Sequence, residues 1–302
     1  MKTEVKIGSI VLRRPVMVAS GTFGYGEEYL DLLDYSEIGA IVTKGITLKP
    51  KEGNPPPRVV ETAAGMLNSI GLQNPGAEAF VREKLPFFRE HRISCIVNVA
   101  GSSVEENVEI VRILDAEENV AGIELNVSCP NVKKGGMAFG KSAELLREVV
   151  SEVRKATRKT LITKLSPNVT DIVEMARVAE AAGSDALSLI NTFAGLAVDI
   201  ETRKPILGGV TGGLSGPAIK PVALRMVWEV CKNVKVPVIG MGGIATAGDA
   251  IEFLITGATA VAVGTATFYH PNAAAAISDG IVEYMEAHEI DDIADLIGSL
   301  ES

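Results

Sequence analysis

Glu124-Leu-Asn-Val-Ser-Cys-Pro-Asn131 starts as a strand and stops at a proline. The run from Gly122 to Val127 is apolar and β-branched, which suits an extended chain, and Pro130 cannot continue a ladder. Just past the strand end the chain delivers a thiol, Cys129, between the hydroxyl of Ser128 and the amides of Asn126 and Asn131. Polar residues beside an isolated cysteine at a strand end are where α/β proteins keep their chemistry. A free cysteine often only fills space, but these three neighbours are poor companions for a core.

The same unit, an apolar strand followed by a helix, recurs on both sides of this stretch. Strands are expected at 15–20, 38–43, 94–100, 122–127, 160–165, 186–190, 236–240 and 259–263. Helices are expected near 27–33, 77–91, 104–114, 142–157, 170–182, 217–233, 247–256 and 272–287. The fourth helix is the clearest, with Ser142 as its cap and a stripe of Leu145, Leu146, Val149, Val150 and Val153. Residues 2–13 alternate around Gly8-Ser9 and read as a hairpin, and the tail 290–300 adds a turn or short helix. Segment 46–75 is rich in Gly, Pro and Asn and too long for a plain connector, which points to function; 131–140 is a glycine-bearing loop and 193–216 a second excursion. Eight units without a linker predict an α/β fold over residues 1–302: one closed (β/α)8 TIM barrel with an N-terminal β-hairpin and excursions after strands 2, 4 and 6. A doubly wound open sheet is disfavoured, because no G-x-G-x-x-G follows the first strand.

Composition agrees. The chain is 47% hydrophobic but only 5% aromatic, with 30 Gly, which suits an aliphatic core under many tight turns. A net charge of −9 argues against a nucleic-acid surface. Cys95, Cys129 and Cys231 form no C-x-x-C pair and match no zinc or iron–sulfur framework, so no metal is expected and the compartment reads as reducing. The start has no signal pattern and no apolar run spans a membrane, so a cytoplasmic protein is expected.

The C-terminal ends of barrel strands share one face, where such folds place their active site. Ser20, Lys44, Asn98, Asn126, Cys129, Lys164, Asn191 and Thr192 fall there. A buried lysine without a partner is costly. One could be satisfied by an ion pair, but two, on strands 2 and 5, point to a bound anion or an electron-rich ring. Gly242-Gly243 and Gly264-Thr265, at the ends of strands 7 and 8, expose backbone N–H groups near helix starts, where barrels grip phosphate, and Gly216 adds a third bare backbone. A phosphate-bearing ring cofactor is expected, and flavin mononucleotide (FMN) fits.

The chain resembles the class 1 dihydroorotate dehydrogenases, specifically the catalytic subunits of the NAD-linked 1B type. The resemblance rests on segments 19–26, 43–45, Gly53-Asn-Pro-Pro-Pro-Arg58, Asn68-Ser-Ile-Gly-Leu-Gln-Asn-Pro75, 124–131, Lys164-Leu-Ser-Pro-Asn168, Ile190-Asn-Thr192, Gly213-Leu-Ser-Gly-Pro217 and Gly240-Met-Gly-Gly243, nearly the whole barrel. It implies that Cys129 is the base for the C5 proton of (S)-dihydroorotate, under a lid at 131–140, while Lys164 stabilises charge on the flavin that takes the C6 hydride. It implies substrate contacts from Lys44, Asn68, Ser69, Ile70, Gly71, Leu72, Asn126, Asn191 and Thr192. One FMN per chain would be held by Ser20, Lys44, Gly45, Asn98, Asn126, Lys164, Ile190, Gly216, Gly242, Gly243, Gly264 and Thr265.

It further implies an electron-transfer subunit carrying FAD and a [2Fe-2S] cluster, and a homodimer of catalytic chains within a heterotetramer. The rival readings are a class 1A-like fumarate-dependent enzyme or another FMN-dependent pyrimidine reductase. A non-catalytic barrel that binds a phosphorylated ligand is more remote. The 68–74 loop with Lys44, which suits a substrate carboxylate, separates the family from uracil-type reductases.

Overall fold

The structure is a computed structural model and describes residues 1–128, 130–131 and 137–301. Its centre is a closed barrel of eight parallel strands. In chain order they are strand 1 (Val16–Val18), strand 2 (Ala40–Val42), strand 3 (Cys95–Val99), strand 4 (Val120–Asn126), strand 5 (Thr160–Lys164), strand 6 (Ala186–Leu189), strand 7 (Val238–Met241) and strand 8 (Ala260–Val263). Each pairs with the next, and strand 8 closes on strand 1 through Val261↔Val16 to Val263↔Val18. Helices cover the outer face, so these strands are buried on both faces and read as near-continuous apolar runs.

The hairpin pairs Val5–Ile7 with Ile10–Leu12 as expected. Helix Ala143–Ala156 is capped by Ser142, whose side chain accepts from the Leu145 N–H, and buries all five residues of the expected stripe. Two helices differ from expectation and one short helix is added. After strand 1 there is only a 3₁₀ turn, Glu27–Tyr29. Leu30 and Leu32 are exposed there and only Tyr29 and Leu33 reach the core, a stripe too short to drive a longer helix. The helix at 77–91 is interrupted by a π-helical turn, Phe80–Lys84, just before Pro86, which lacks the N–H that a regular ladder needs. After strand 8 a short extra helix, Ala266–Tyr269, precedes helix Ala273–Ala287.

The excursions meet each other. Hairpin Val59–Thr62/Gly65–Asn68, after strand 2, joins Phe193–Leu196 and Thr211–Ser215, after strand 6, in one four-stranded antiparallel sheet beside the barrel mouth. The register sets Asn68 opposite Gly213. After strand 4, Pro130–Asn131 pairs with Met137–Ala138. Among the described residues no helix is long and apolar enough to cross a membrane.

Candidate active site

The floor of the barrel mouth is polar. Lys164 is 4% exposed at the end of strand 5, and its Nζ donates to Ser20 Oγ at 3.0 Å. The Glu124 carboxylate of strand 4 lies 3.7 Å from that Nζ. Both its oxygens are engaged: Asn98 Nδ2 donates to Oε1 at 2.6 Å and Ser188 Oγ to Oε2 at 2.8 Å. Sequence reasoning missed Glu124 and Ser188. Because a carboxylate only accepts, this bond fixes the orientation of the Asn98 amide. Asn98 Oδ1 is then buried without a hydrogen-bond partner, and a Cβ built on Gly45 would stand 3.1 Å from it. A buried, unpaired acceptor beside a bare glycine fits a ligand N–H.

An amide cluster forms the rim. Asn191 Nδ2 donates to Ser128 Oγ at 3.0 Å and, at a long 3.4 Å, to Asn126 Oδ1. The Thr192 N–H donates to Asn191 Oδ1, and Asn168 Nδ2 donates to the Thr192 carbonyl at 2.9 Å. Asn68 reaches the same rim from the excursion sheet, donating to the Gly213 carbonyl at 3.2 Å. The 69–72 turn beside it bends through left-handed Gly71 and Leu72, at φ 75 and 58. Asn54 and Arg58 brace that turn. Asn54 Nδ2 donates to the Ser69 carbonyl (3.1 Å) and Oγ (2.9 Å), and Arg58 donates to the Glu52 carbonyl (2.9 Å) and Gln73 Oε1 (2.8 Å). The Asn-Pro-Pro-Pro-Arg segment therefore scaffolds the turn.

Lys44, past strand 2, is half-buried with its Nζ 6.0 Å from the centre of the Tyr25 ring. Burial pulls its pKa below the usual lysine value; Arg58 adds to the effect and Glu28 opposes it. The Tyr25 hydroxyl is buried and unpaired, and burial pushes its pKa up.

Opposite these groups the chain makes a bare backbone cradle. A Cβ on Gly243 (φ 79) would sit 2.9 Å from the Gly216 carbonyl and 2.7 Å from Lys220 Cβ, so the two turns abut. Ser215 and Thr265 join through their hydroxyls at 2.7 Å, which brings the strand 6 excursion to the end of strand 8. Gly242 packs against Ala223, whose Cβ would lie 2.8 Å from an added Cβ, with Ile190 Cγ1 at 3.4 Å. Gly264 is open, with nothing closer than Ala19 Cβ at 3.5 Å. One element of the expected phosphate site carries a carboxylate of its own. Helix Ala247–Ile255, after strand 7, meets part of its own N-terminus, because Asp249 accepts from the Ala245 and Thr246 N–H groups and Thr246 from Asp249. Thr265 stands at the start of the short helix Ala266–Tyr269, beside these glycine turns.

The structure thus brings together Ser20, Asn98 and Lys164; Asn68, Asn126, Asn191 and Thr192; and Gly216, Gly243 and Thr265. Cys129 and residues 132–136 of the expected lid at 131–140 lie outside the described residues. Cys95 is fully buried, and burial pushes Cys231 up to about 12, so neither suits a base at neutral pH. Among the described residues no cluster of acids, His and Cys could hold a metal ion.

Fold and site define a (β/α)8 barrel that gathers a buried lysine–carboxylate pair, an amide cluster and glycine turns at its strand C-termini. A family model described as dihydroorotate dehydrogenase matches residues 2–285, and the chain belongs to that family. Similar relatives include a protein of Geotalea uraniireducens strain Rf4, 59% identical over 297 residues (98% of this chain, 97% of the relative). One from Trichlorobacter lovleyi is 58% identical over 298 residues (99% and 98%). One from Thermoanaerobacter sp. strain X514 is 55% identical over 300 residues (99% and 99%). All three are named dihydroorotate dehydrogenase B (NAD(+)), catalytic subunit.

Proposed function

We propose that this protein oxidises (S)-dihydroorotate to orotate in pyrimidine biosynthesis as a catalytic subunit whose electrons pass through a partner to NAD. The reading is supported by family membership, by the names of its relatives, and above all by one observation. The barrel mouth holds a buried Lys164–Glu124 pair under an unpaired Asn98 carbonyl oxygen, facing a glycine cradle. That arrangement fits FMN, whose ring would meet Ser20, Lys44, Gly45, Asn98, Asn126, Lys164 and Ile190. Its phosphate would meet Gly216, Gly242, Gly243, Gly264 and Thr265. Bound flavin supplies the acceptor for the hydride leaving C6.

The chain's own residues do the rest. Cys129, as thiolate, takes the proton from C5, so that loss of this proton and of the C6 hydride leaves the C5=C6 double bond of orotate. Asn68, Asn126, Asn191 and Thr192, with the Ser69–Leu72 backbone, hydrogen-bond the ring amides and carboxylate. Lys44 offers the carboxylate a cation. Lys164 faces the charge that develops on the acceptor. The relatives' designation as catalytic subunits supports a separate electron-transfer subunit, which would carry FAD and a [2Fe-2S] cluster, with catalytic chains paired in a heterotetramer. All of this is set in one domain that works in the cytoplasm.

Anaerobic titration of the purified chain with dihydroorotate tests the reading. Bleaching of the visible flavin band is expected. A yellow protein that dihydroorotate fails to bleach overturns the substrate, and a protein that cannot be reconstituted with FMN overturns the cofactor.

A further inference from the structure

Glu124 is an anomaly in a barrel core. Interior positions of such barrels are ordinarily branched apolar residues, and a buried carboxylate costs desolvation unless it is paired. Its register neighbours are Asn98 on strand 3 and Ile162 on strand 5, and its side chain is 2% exposed. Its oxygens are both engaged by neutral donors, Asn98 Nδ2 and Ser188 Oγ, which hold it in place. At 3.7 Å from Lys164 Nζ it is close enough for strong Coulomb attraction but beyond hydrogen-bonding length. Ser20 Oγ is the only hydrogen-bond partner of that ammonium among the described residues. An ammonium has three donors, so Lys164 keeps donors for a ligand while its charge is partly balanced from below.

We infer that Glu124 is a positioning residue that, through Lys164, lowers the electron affinity of the bound flavin. The inference rests on the proposed flavin site. Lys164 alone favours the extra negative charge of the reduced ring over the oxidised one, which raises the midpoint potential. A fixed carboxylate beside the ammonium tempers that preference. The flavin then accepts the substrate hydride without holding its electrons too tightly to pass them on. Asn98 and Ser188 keep the carboxylate from closing onto Lys164, which would use up the ammonium's donors.

The test is the flavin midpoint potential of the FMN-loaded protein, measured by dye equilibration in wild type and Glu124→Gln. The substitution keeps the shape and removes the charge; its oxygen can still accept from Asn98, and its new NH2 can donate to the Ser188 hydroxyl, which accepts as readily as it donates. The expected result is a more positive potential, with the preference for reduced over oxidised flavin raised about tenfold, which for a two-electron couple is ~30 mV. An unchanged or more negative potential overturns the proposal, because a merely structural Glu124 would leave the potential alone. Glu124→Asp keeps the charge and withdraws it by one methylene. It should shift the potential in the same direction by less, and if Glu124→Gln proves too unstable to hold flavin, the absence of a shift in Glu124→Asp overturns the proposal instead.

A thermal-melting cycle on flavin-free protein reads the pair independently of any cofactor. Lys164→Met with Glu124→Gln should be more stable than Lys164→Met alone, since the single change strands a buried carboxylate. Equal stability of the two overturns the charge coupling. A wild-type chain that binds no FMN would instead remove the functional reading, and the melting cycle would still report on the pair.

Discussion

Gly264→Ala separates room for the chain from room for a ligand. A Cβ at Gly264 would meet Ala19 Cβ at 3.5 Å and Thr22 Cγ2 at 3.7 Å, ordinary van der Waals contacts, and no left-handed backbone stands in the way. The folded chain should therefore accept the methyl within about 0.5 kcal/mol, with a small gain from the less flexible unfolded chain. A phosphate seated on this backbone could not approach as closely. Losing one charge-assisted hydrogen bond costs ~1.5–3 kcal/mol, which is roughly a 10- to 100-fold loss of FMN affinity.

Gly243→Ala is the contrasting case. Its backbone is left-handed at φ 79, and the new Cβ would lie 2.7 Å from Lys220 Cβ and 2.9 Å from both the Gly216 carbonyl and the Lys220 nitrogen. Backbone strain of ~1–2 kcal/mol and overpacking of ~1–3 kcal/mol should both appear, because main-chain atoms cannot swing aside. Melting of flavin-free protein and FMN titration by flavin fluorescence read the two quantities separately. Gly243→Ala should lose both stability and affinity, and Gly264→Ala affinity alone. Wild-type FMN affinity in Gly264→Ala would refute the placement of the phosphate against strand 8.

Three more outcomes are expected. Because burial lowers the Lys44 pKa below 10.5, its ammonium is lost at a lower pH than that of a free lysine. The KM for dihydroorotate should rise as pH climbs through that lowered value and stay flat to pH 10.5 in Lys44→Arg; a wild-type KM flat over the same range would remove Lys44 from carboxylate binding. The stability sign is opposite: between the two pKa values the unfolded chain binds more protons at this residue, so its contribution to stability grows as pH rises there. Cys129→Ala should bind FMN as wild type does and lose at least about 10²-fold in turnover, and full activity would end its role as base. Arg58→Ala should loosen the 69–73 turn, raising KM about tenfold for ~1–1.5 kcal/mol of lost bracing. FMN affinity should hold; if it fell instead and KM did not move, the turn would serve the cofactor.

What the sequence allowed to be read divides along a physical line. Strand order and strand ends follow from local apolar runs and breakers, so the sequence alone places Ser20, Asn98, Lys164 and Asn191 at one mouth. Cross-strand identity needs register. Nothing local says that Asn98 stands opposite Glu124, or that Ser188 stands opposite Lys164. An acid inside a strand ordinarily marks a solvent-facing position, which is why Glu124 passed as unremarkable. Yet a parallel barrel strand has no solvent face, so the acid in Gly-Ile-Glu-Leu-Asn had to find a cation within the barrel, and Lys164 was the lysine already assigned to the adjacent strand. Asp249 was legible on the same logic. Thr246-x-x-Asp249 is a capping box, and its carboxylate meets part of the helix N-terminus as well as the Lys220 ammonium. In both cases the charged residue is explained by the group it neutralises, so counting which cations and N-termini remain unneutralised is what locates a ligand's charge.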